Sequence, residues 1–262
     1  MTDQLGTMLT RCRTYTNLDD LEARDTLFAT GERYDALVRL LRFGVDQLQE
    51  VLAVGRYEYV AEHVVGKKVV DCASGAGYGA SILAQRGAES VLGIDLDPAT
   101  VGYAQKHYGR SGTLRFVQGD ALALGSLLVE PPDCVVSFET LEHLPEAGSF
   151  LDGVREVLMP RRGTLFLSCP IASAMDGDNP YHLHDFTPEA FASLVHERFA
   201  EVTLITQFYG LRPGLRKVGR LSRVLRNAWM GPHAGMFPAD EVAWARRTLC
   251  HPFIQIAIAR NP

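Results

Sequence analysis

The run Val69-Val70-Asp71-Cys72-Ala73-Ser74-Gly75-Ala76-Gly77-Tyr78-Gly79 constrains this chain more than any other segment. It passes from an apolar strand into a helix through a turn made of small residues. Such a turn lets backbone N–H groups at the helix N-terminus come close to a charged, nucleotide-like ligand, and it serves equally as a tight connection that holds nothing. The downstream strands decide between the two. The next apolar strand, Ser90-Val91-Leu92-Gly93-Ile94-Asp95, ends in a carboxylate about twenty residues on, the spacing that ribose recognition requires. After Leu96, Asp97 and Pro98 meet the needs of a helix start as N-cap and first helical residue, which leaves Asp95 for hydroxyls. A third strand, Leu114–Val117, runs into Gly119-Asp120-Ala121, where Asp120 either caps the next helix or accepts a hydrogen bond from an adenine amino group.

Strand and helix patterns alternate from about residue 66 to 209, with strands at 68–72, 90–95, 113–118, 133–138, 163–169 and 201–208, and a last strand at 252–260. Helices are expected at 78–86, 98–107, 121–128, 147–158 and 188–198. This is an α/β pattern, a parallel sheet covered by helices on both faces. Residues 1–65 carry helical patterning and form an expected N-terminal cap. Residues 210–250 interrupt the alternation before the closing segment 251–262. Within that insert, Leu211, Leu215, Val218, Leu221 and Leu225 recur at helical spacing among Arg212, Arg216, Lys217, Arg220, Arg223 and Arg226. A basic amphipathic helix of this kind fits a lid or a homodimer element, or else recognition of an anionic substrate or a membrane surface. Trp229, Phe237 and Trp244 would extend the lid.

At 262 residues and 47% hydrophobic content, the chain has ample material for one core. Its formal charge of −5 argues against whole-surface nucleic-acid binding. The five cysteines are scattered without a C-x-x-C pair, which fits reduced thiols and excludes zinc-ribbon clusters. No apolar run approaches a membrane span and the first residues do not resemble a secretory signal, so a cytoplasmic location is expected.

In this order, Val69–Gly79, Ile94-Asp95, Gly119-Asp120-Ala121 and Asp133-Cys134-Val135-Val136-Ser137-Phe138 resemble the class I S-adenosylmethionine-dependent methyltransferases. The one departure is Ala73, where that family usually has its first glycine. A nicotinamide cofactor is disfavoured because no G-x-G-x-x-G occurs, Gly75 and Gly77 being followed by Ala80. The resemblance implies a Rossmann-like, doubly wound, seven-stranded sheet whose last strand is antiparallel. It also implies S-adenosyl-L-methionine as cofactor, held by Tyr57, Asp71, Ala73, Gly75, Gly77, Asp95, Leu96, Asp120, Ala121, Phe138 and Glu139. Arg56-Tyr57 is similar to an Arg-Tyr pair of bacterial sugar- and natural-product-modifying methyltransferases, in which the tyrosine lies against the cofactor.

The segment after the fourth strand, Phe138-Glu139-Thr140-Leu141-Glu142-His143-Leu144-Pro145, holds two carboxylates and an imidazole that a helix would bring to one face. Downstream, Asn179-Pro180-Tyr181-His182-Leu183-His184-Asp185-Phe186-Thr187-Pro188 delivers two more histidines to the same sheet edge. Together they resemble the metal-binding arrangement of small-RNA 2′-O-methyltransferases and quinone-type O-methyltransferases. Carried over, Glu139, Glu142, His143 and His182 would hold Mg²⁺, Mn²⁺ or Zn²⁺, with His184 spare. Without a metal, the carboxylates would serve the helix dipole and backbone N–H groups.

Methyl transfer from a sulfonium is an in-line displacement, and a hydroxyl nucleophile needs its proton removed. His143, Glu142 and His182 are the candidate catalytic residues, with an imidazole as base. This set favours oxygen over nitrogen or carbon as acceptor, in a sugar or a secondary metabolite. The alternatives are N- or C-methylation, including that of an isoprenoid diphosphate, and a non-catalytic cofactor-binding subunit.

Overall fold

Alternating Val69 and Val70, the first two valines of the first strand, pack into different cores, and the whole architecture follows from that division. The structure is a computed structural model that describes residues 35–36, 48–172, 179–210, 236–238 and 250–262. Among these residues eight strands form one sheet: β1 Lys68–Cys72, β2 Ser90–Asp95, β3 Leu114–Gln118, β4 Cys134–Phe138, β5 Thr164–Pro170, β6 Glu201–Gly210, β7 Met236–Pro238 and β8 Cys250–Arg260. The helices are α1 Leu48–Ala61, α2 Tyr78–Gln85, α3 Pro98–Tyr108, α4 Leu124–Leu127, α5 Ala147–Leu158 and α6 Pro188–His196. The sheet order is β3-β2-β1-β4-β5-β8-β6-β7. Strands β1 to β5 are parallel to one another, and β8 runs antiparallel between β5 and β6.

Both faces of the central strands are covered, which is why their sequences are near-continuous apolar runs. On one face Val69, Val91 and Val136 pack with Val54 and Tyr57 of α1, Ile82 and Leu83 of α2 and Ala104 of α3. On the other, Val70, Leu92, Val135 and Leu165 pack with Phe150, Leu151 and Val154 of α5 and Phe191 of α6. Helix starts follow their capping chemistry. Asp97 accepts from the Thr100 N–H at 3.0 Å ahead of Pro98, and Thr187 accepts from the Ala190 N–H at 3.2 Å ahead of Pro188.

The seven expected strands and the antiparallel last strand are present, and the sheet gains a short eighth. Strand β7 pairs with β6 inside the insert expected to be helical. The helix expected at 121–128 is instead a 3₁₀ turn, Ala121–Ala123, followed by the single turn of α4. Its short apolar stretch ends where Leu128 turns extended ahead of Pro131 and Pro132. The basic run 211–226, with Trp229 and Trp244, and most of the expected N-terminal cap lie outside the described residues. Among the described residues no helix is long and apolar enough to cross a membrane.

Candidate functional site

At the carboxyl ends of β1, β2 and β3 the backbone itself builds a cradle. Ala73, Gly75 and Gly77 all have positive φ (60°, 52° and 85°), so the chain turns sharply between β1 and α2. A side chain built on Gly75 would meet no atom within 4 Å, so the loop is open to a ligand at that point. On Gly79, by contrast, it would run into the Tyr57 ring, so glycine there is what lets α1 lie against α2. The Asp95 carboxylate accepts from the Gly75 N–H at 2.9 Å and from the Asp97 N–H at 3.0 Å, one on each oxygen. Each oxygen keeps a further lone pair for a ribose hydroxyl. Asp95 therefore organises the loop, a role its expected part as a ribose partner did not announce. Asp120 caps the next turn through the Leu122 N–H at 2.9 Å and stays exposed. Leu96 and Leu122, 63% and 38% exposed, stand beside these two carboxylates and give apolar surface suited to a base, with Ala121 between Asp120 and Leu122.

Beneath the loop, Asp71 is fully buried. Its Oδ1 accepts from the Tyr57 hydroxyl at 3.1 Å. Burial pushes the Asp71 carboxyl up to about 7; the tyrosine hydrogen bond opposes the shift and the Asp95 charge adds to it. Burial also drives the Tyr57 hydroxyl well above its usual value, so it stays a donor. The Tyr57 ring packs edge-on to Phe138 at 5.0 Å and to Tyr78 at 5.6 Å. Cys72 lies behind this pair, its thiol raised to about 12 by burial, and serves as core.

Glu139 departs from the expected arrangement. The segment after β4 is not an α-helix: Glu139 has φ 52° and only Leu141–His143 forms a 3₁₀ turn. Glu139 is thereby separated from Glu142 and His143, and its Oε1 accepts from the Ser168 hydroxyl at 2.7 Å with Arg56 Nη2 3.9 Å away. Arg56 is itself buried, donates to Gln207 Oε1 at 2.8 Å and stacks over Phe138 at 5.7 Å. Ser168, Gln207 and the network they form with Arg56 were missed in sequence. The available signal was weak: Ser168 follows the apolar run Leu165-Phe166-Leu167 of β5, and Gln207 lies in a strand that also carries Thr203 and Thr206.

Glu142, His143 and His182 do come together, each offering a ligand atom within 4.8 Å of the others. The His143 and His182 rings meet edge to face at 4.9 Å. Glu142 is 2% exposed, and its backbone carbonyl accepts from the Leu183 and His184 N–H groups at 2.8 and 3.2 Å. His143 Nδ1 lies 3.0 Å from the Tyr181 carbonyl oxygen. A carbonyl only accepts, so Nδ1 carries a proton, and in the neutral ring the lone pair is then on Nε2. His184 stays outside this triad and packs on Phe186. One carboxylate and two imidazoles suit a divalent ion.

Residues 70–167 match the model of a methyltransferase domain. The ubiquinone biosynthesis O-methyltransferase of Pseudomonas fluorescens (strain SBW25) is 36% identical over 116 residues, 43% of this chain and 49% of the relative. A probable S-adenosylmethionine-dependent methyltransferase of Mycolicibacterium smegmatis is 30% identical over 151 residues, 56% of each chain. The chain thus spans about half the length of the curated relatives it matches. Among solved structures, a SAM-dependent methyltransferase from Archaeoglobus fulgidus shares the fold, with a TM-score of 0.57 and 17% identity over 86% of this chain and 98% of that one. The sheet order and the matched span together show that the core of this chain has the fold of the S-adenosylmethionine-dependent methyltransferases and that residues 70–167 are similar to a methyltransferase domain.

Proposed function

We propose that this chain transfers a methyl group from S-adenosyl-L-methionine to a hydroxyl of a small molecule, with a sugar or a secondary metabolite as the acceptor class. The observation that carries the reading is the convergence of Glu142, His143 and His182 at the same sheet edge as the donor loop. The relatives named as O-methyltransferases agree with oxygen as the acceptor atom.

When bound, the donor supplies a sulfonium methyl group whose positive charge disappears as the methyl leaves. The chain's own part begins with Gly75, Asp95 and Asp120, which hold the nucleoside end, Leu96, Leu122 and Ala121 flanking the base. Ala73, Gly77, Tyr57, Asp71, Phe138 and Glu139 surround the turn toward the methionine end. Arg56, buried beside Glu139, adds positive charge there. On the acceptor side, His143 Nε2 takes the hydroxyl proton, while the Tyr181 carbonyl fixes the ring through Nδ1. Glu142, 3.9 Å from His143 Nε2, stabilises the imidazolium that results. His182 orders the acceptor oxygen from the other side. Were Mg²⁺, Mn²⁺ or Zn²⁺ held by Glu142, His143 and His182, it would lower the hydroxyl's pKa directly.

The test is S-adenosylhomocysteine release with purified protein against a panel of sugars, catechols and amines, before and after exhaustive chelation. Turnover only with hydroxyl acceptors is expected. Turnover only with amines would replace oxygen by nitrogen. Activity unchanged by chelation and metal readdition would leave His143 acting alone. No measurable donor binding in calorimetry would remove the enzymatic reading.

A further inference from the structure

Gln255 breaks the apolar stretch Ile254-Gln255-Ile256-Ala257-Ile258-Ala259 of β8, and it is only 4% exposed. Ala257 and Ala259, two and four residues on, belong to the core beneath α5 and α6. A carboxamide at such a place costs free energy unless it is hydrogen-bonded. Its Oε1 has no hydrogen-bond partner among the described residues, a cost that an aliphatic side chain would not incur. Its Nε2, in contrast, faces three acceptors: the Phe186 carbonyl at 3.0 Å, the Pro170 carbonyl at 3.1 Å and Cys169 Sγ at 3.3 Å.

Those acceptors belong to two different parts of the chain. Pro170 ends β5, and Phe186 immediately precedes Thr187, the cap of α6. The segment before Phe186 carries Tyr181, His182, Leu183 and His184. One end of that segment is tied to the turn after β4 through Glu142 and His143, and the other end meets the sheet at Phe186. The Phe186 carbonyl already accepts from the Ala172 N–H at 3.1 Å. The amide of Gln255 is therefore not needed to satisfy that carbonyl. It is a second tether, from a strand far away in sequence.

We propose that Gln255 is a positioning residue, which clamps the 179–187 loop to the end of β5 and so holds His182 against His143 and Glu142. The importance of this role rests on the reading of those three side chains as the working end of the site, but the placement itself can be measured without any acceptor. In Gln255→Met the side chain keeps its length, becomes apolar and loses its donors. The expected result is a change in the imidazole NMR signals of both His143 and His182 as their edge-to-face contact loosens. Amide exchange at Leu183 and His184 should be about tenfold faster, the size expected when one hydrogen bond of a local unit is lost. Titration with S-adenosylhomocysteine should give an affinity within about twofold of wild type, because Gly75, in the loop after β1, and Asp95, at the end of β2, belong to other elements. Gln255→Leu should behave in the same way. Unchanged histidine signals and unchanged exchange in a folded variant would overturn the proposal. Loss of fold in both variants would overturn it equally, since the amide would then be a determinant of the sheet. If the wild-type protein binds no S-adenosylhomocysteine, the enzymatic reading falls while the spectra still decide the tether.

Discussion

The two ends of the proposed site, one for the donor and one for the acceptor, are built in opposite ways. On the donor side, two adjacent strands, β1 and β2, and the turns that leave them supply the centre of the cradle: the loop, its glycines, and Asp95 bonded to Gly75 and Asp97. On the acceptor side, the 3₁₀ turn after β4 and a loop more than thirty residues downstream meet to form the triad, and a side chain from β8 bonds to the end of that loop. A locally built cradle resists change at a distance. An assembled triad depends on tethers, and each tether is a place where chemistry can be lost while the donor still binds.

The sharpest way to separate the two ends is His143→Ala. Loss of a general base of this kind lowers transfer by about 10²–10⁴-fold, while donor affinity, measured by calorimetry, should stay within about twofold. A parallel loss of donor binding would mean that the two ends are one cooperative unit and that the comparison fails.

Next in size is a pH effect confined to the donor side. Asp71 is raised from 3.8 to about 7, chiefly by burial, so the folded state holds its proton more tightly than the unfolded chain does. The stability associated with the protonated carboxyl is present in full below the unfolded value and is lost as pH rises through about 7. Between pH 5 and 8 this corresponds to about 2–3 kcal/mol. Asp71→Asn carries no such titration. Urea unfolding at the two pH values should therefore show the wild-type protein losing that much relative to the variant, and a constant difference would mean that the carboxyl is ionised throughout.

How much of this was legible in sequence follows the same division. Val69–Gly79 and the Asp97-Pro98 start act through neighbours in the chain, and Asp95 ends the strand next to β1, so pattern alone placed them correctly in strand, turn and cap. Glu139 shows where pattern fails. Glu139, Glu142 and His143 have helical spacing, but a residue in the left-handed region at the end of β4 breaks the helix, and the Ser168 hydroxyl captures the carboxylate. Both causes are tertiary. Similarly, β7 forms only because β6 offers it an edge, and nothing in Met236-Phe237-Pro238 itself spells a strand. Gln255 looked like an ordinary strand residue because its partners, Phe186 and Pro170, lie about seventy or more residues away.

A smaller effect tests whether the donor cradle is as self-contained as it looks. In Asp95→Asn, the side-chain amide has one accepting oxygen, so either the Gly75 N–H or the Asp97 N–H faces a donor. Donor affinity should fall about 10–100-fold, as for loss of a charge-assisted hydrogen bond. Transfer at saturating donor should stay near wild type if the acceptor triad is independent.

The smallest effect belongs to Thr187. Its hydroxyl caps α6 through the Ala190 N–H, and its backbone continues directly from Phe186, the residue that Gln255 holds. Thr187→Ala leaves that N–H without its cap and should cost about 1 kcal/mol in urea unfolding. The cap lies outside the Phe186 tether, so the histidine signals that respond to Gln255→Met should stay in place here. If they move as far as in Gln255→Met, the loop is held by the start of α6 rather than by the strand, and the acceptor side would owe its geometry to a local feature after all.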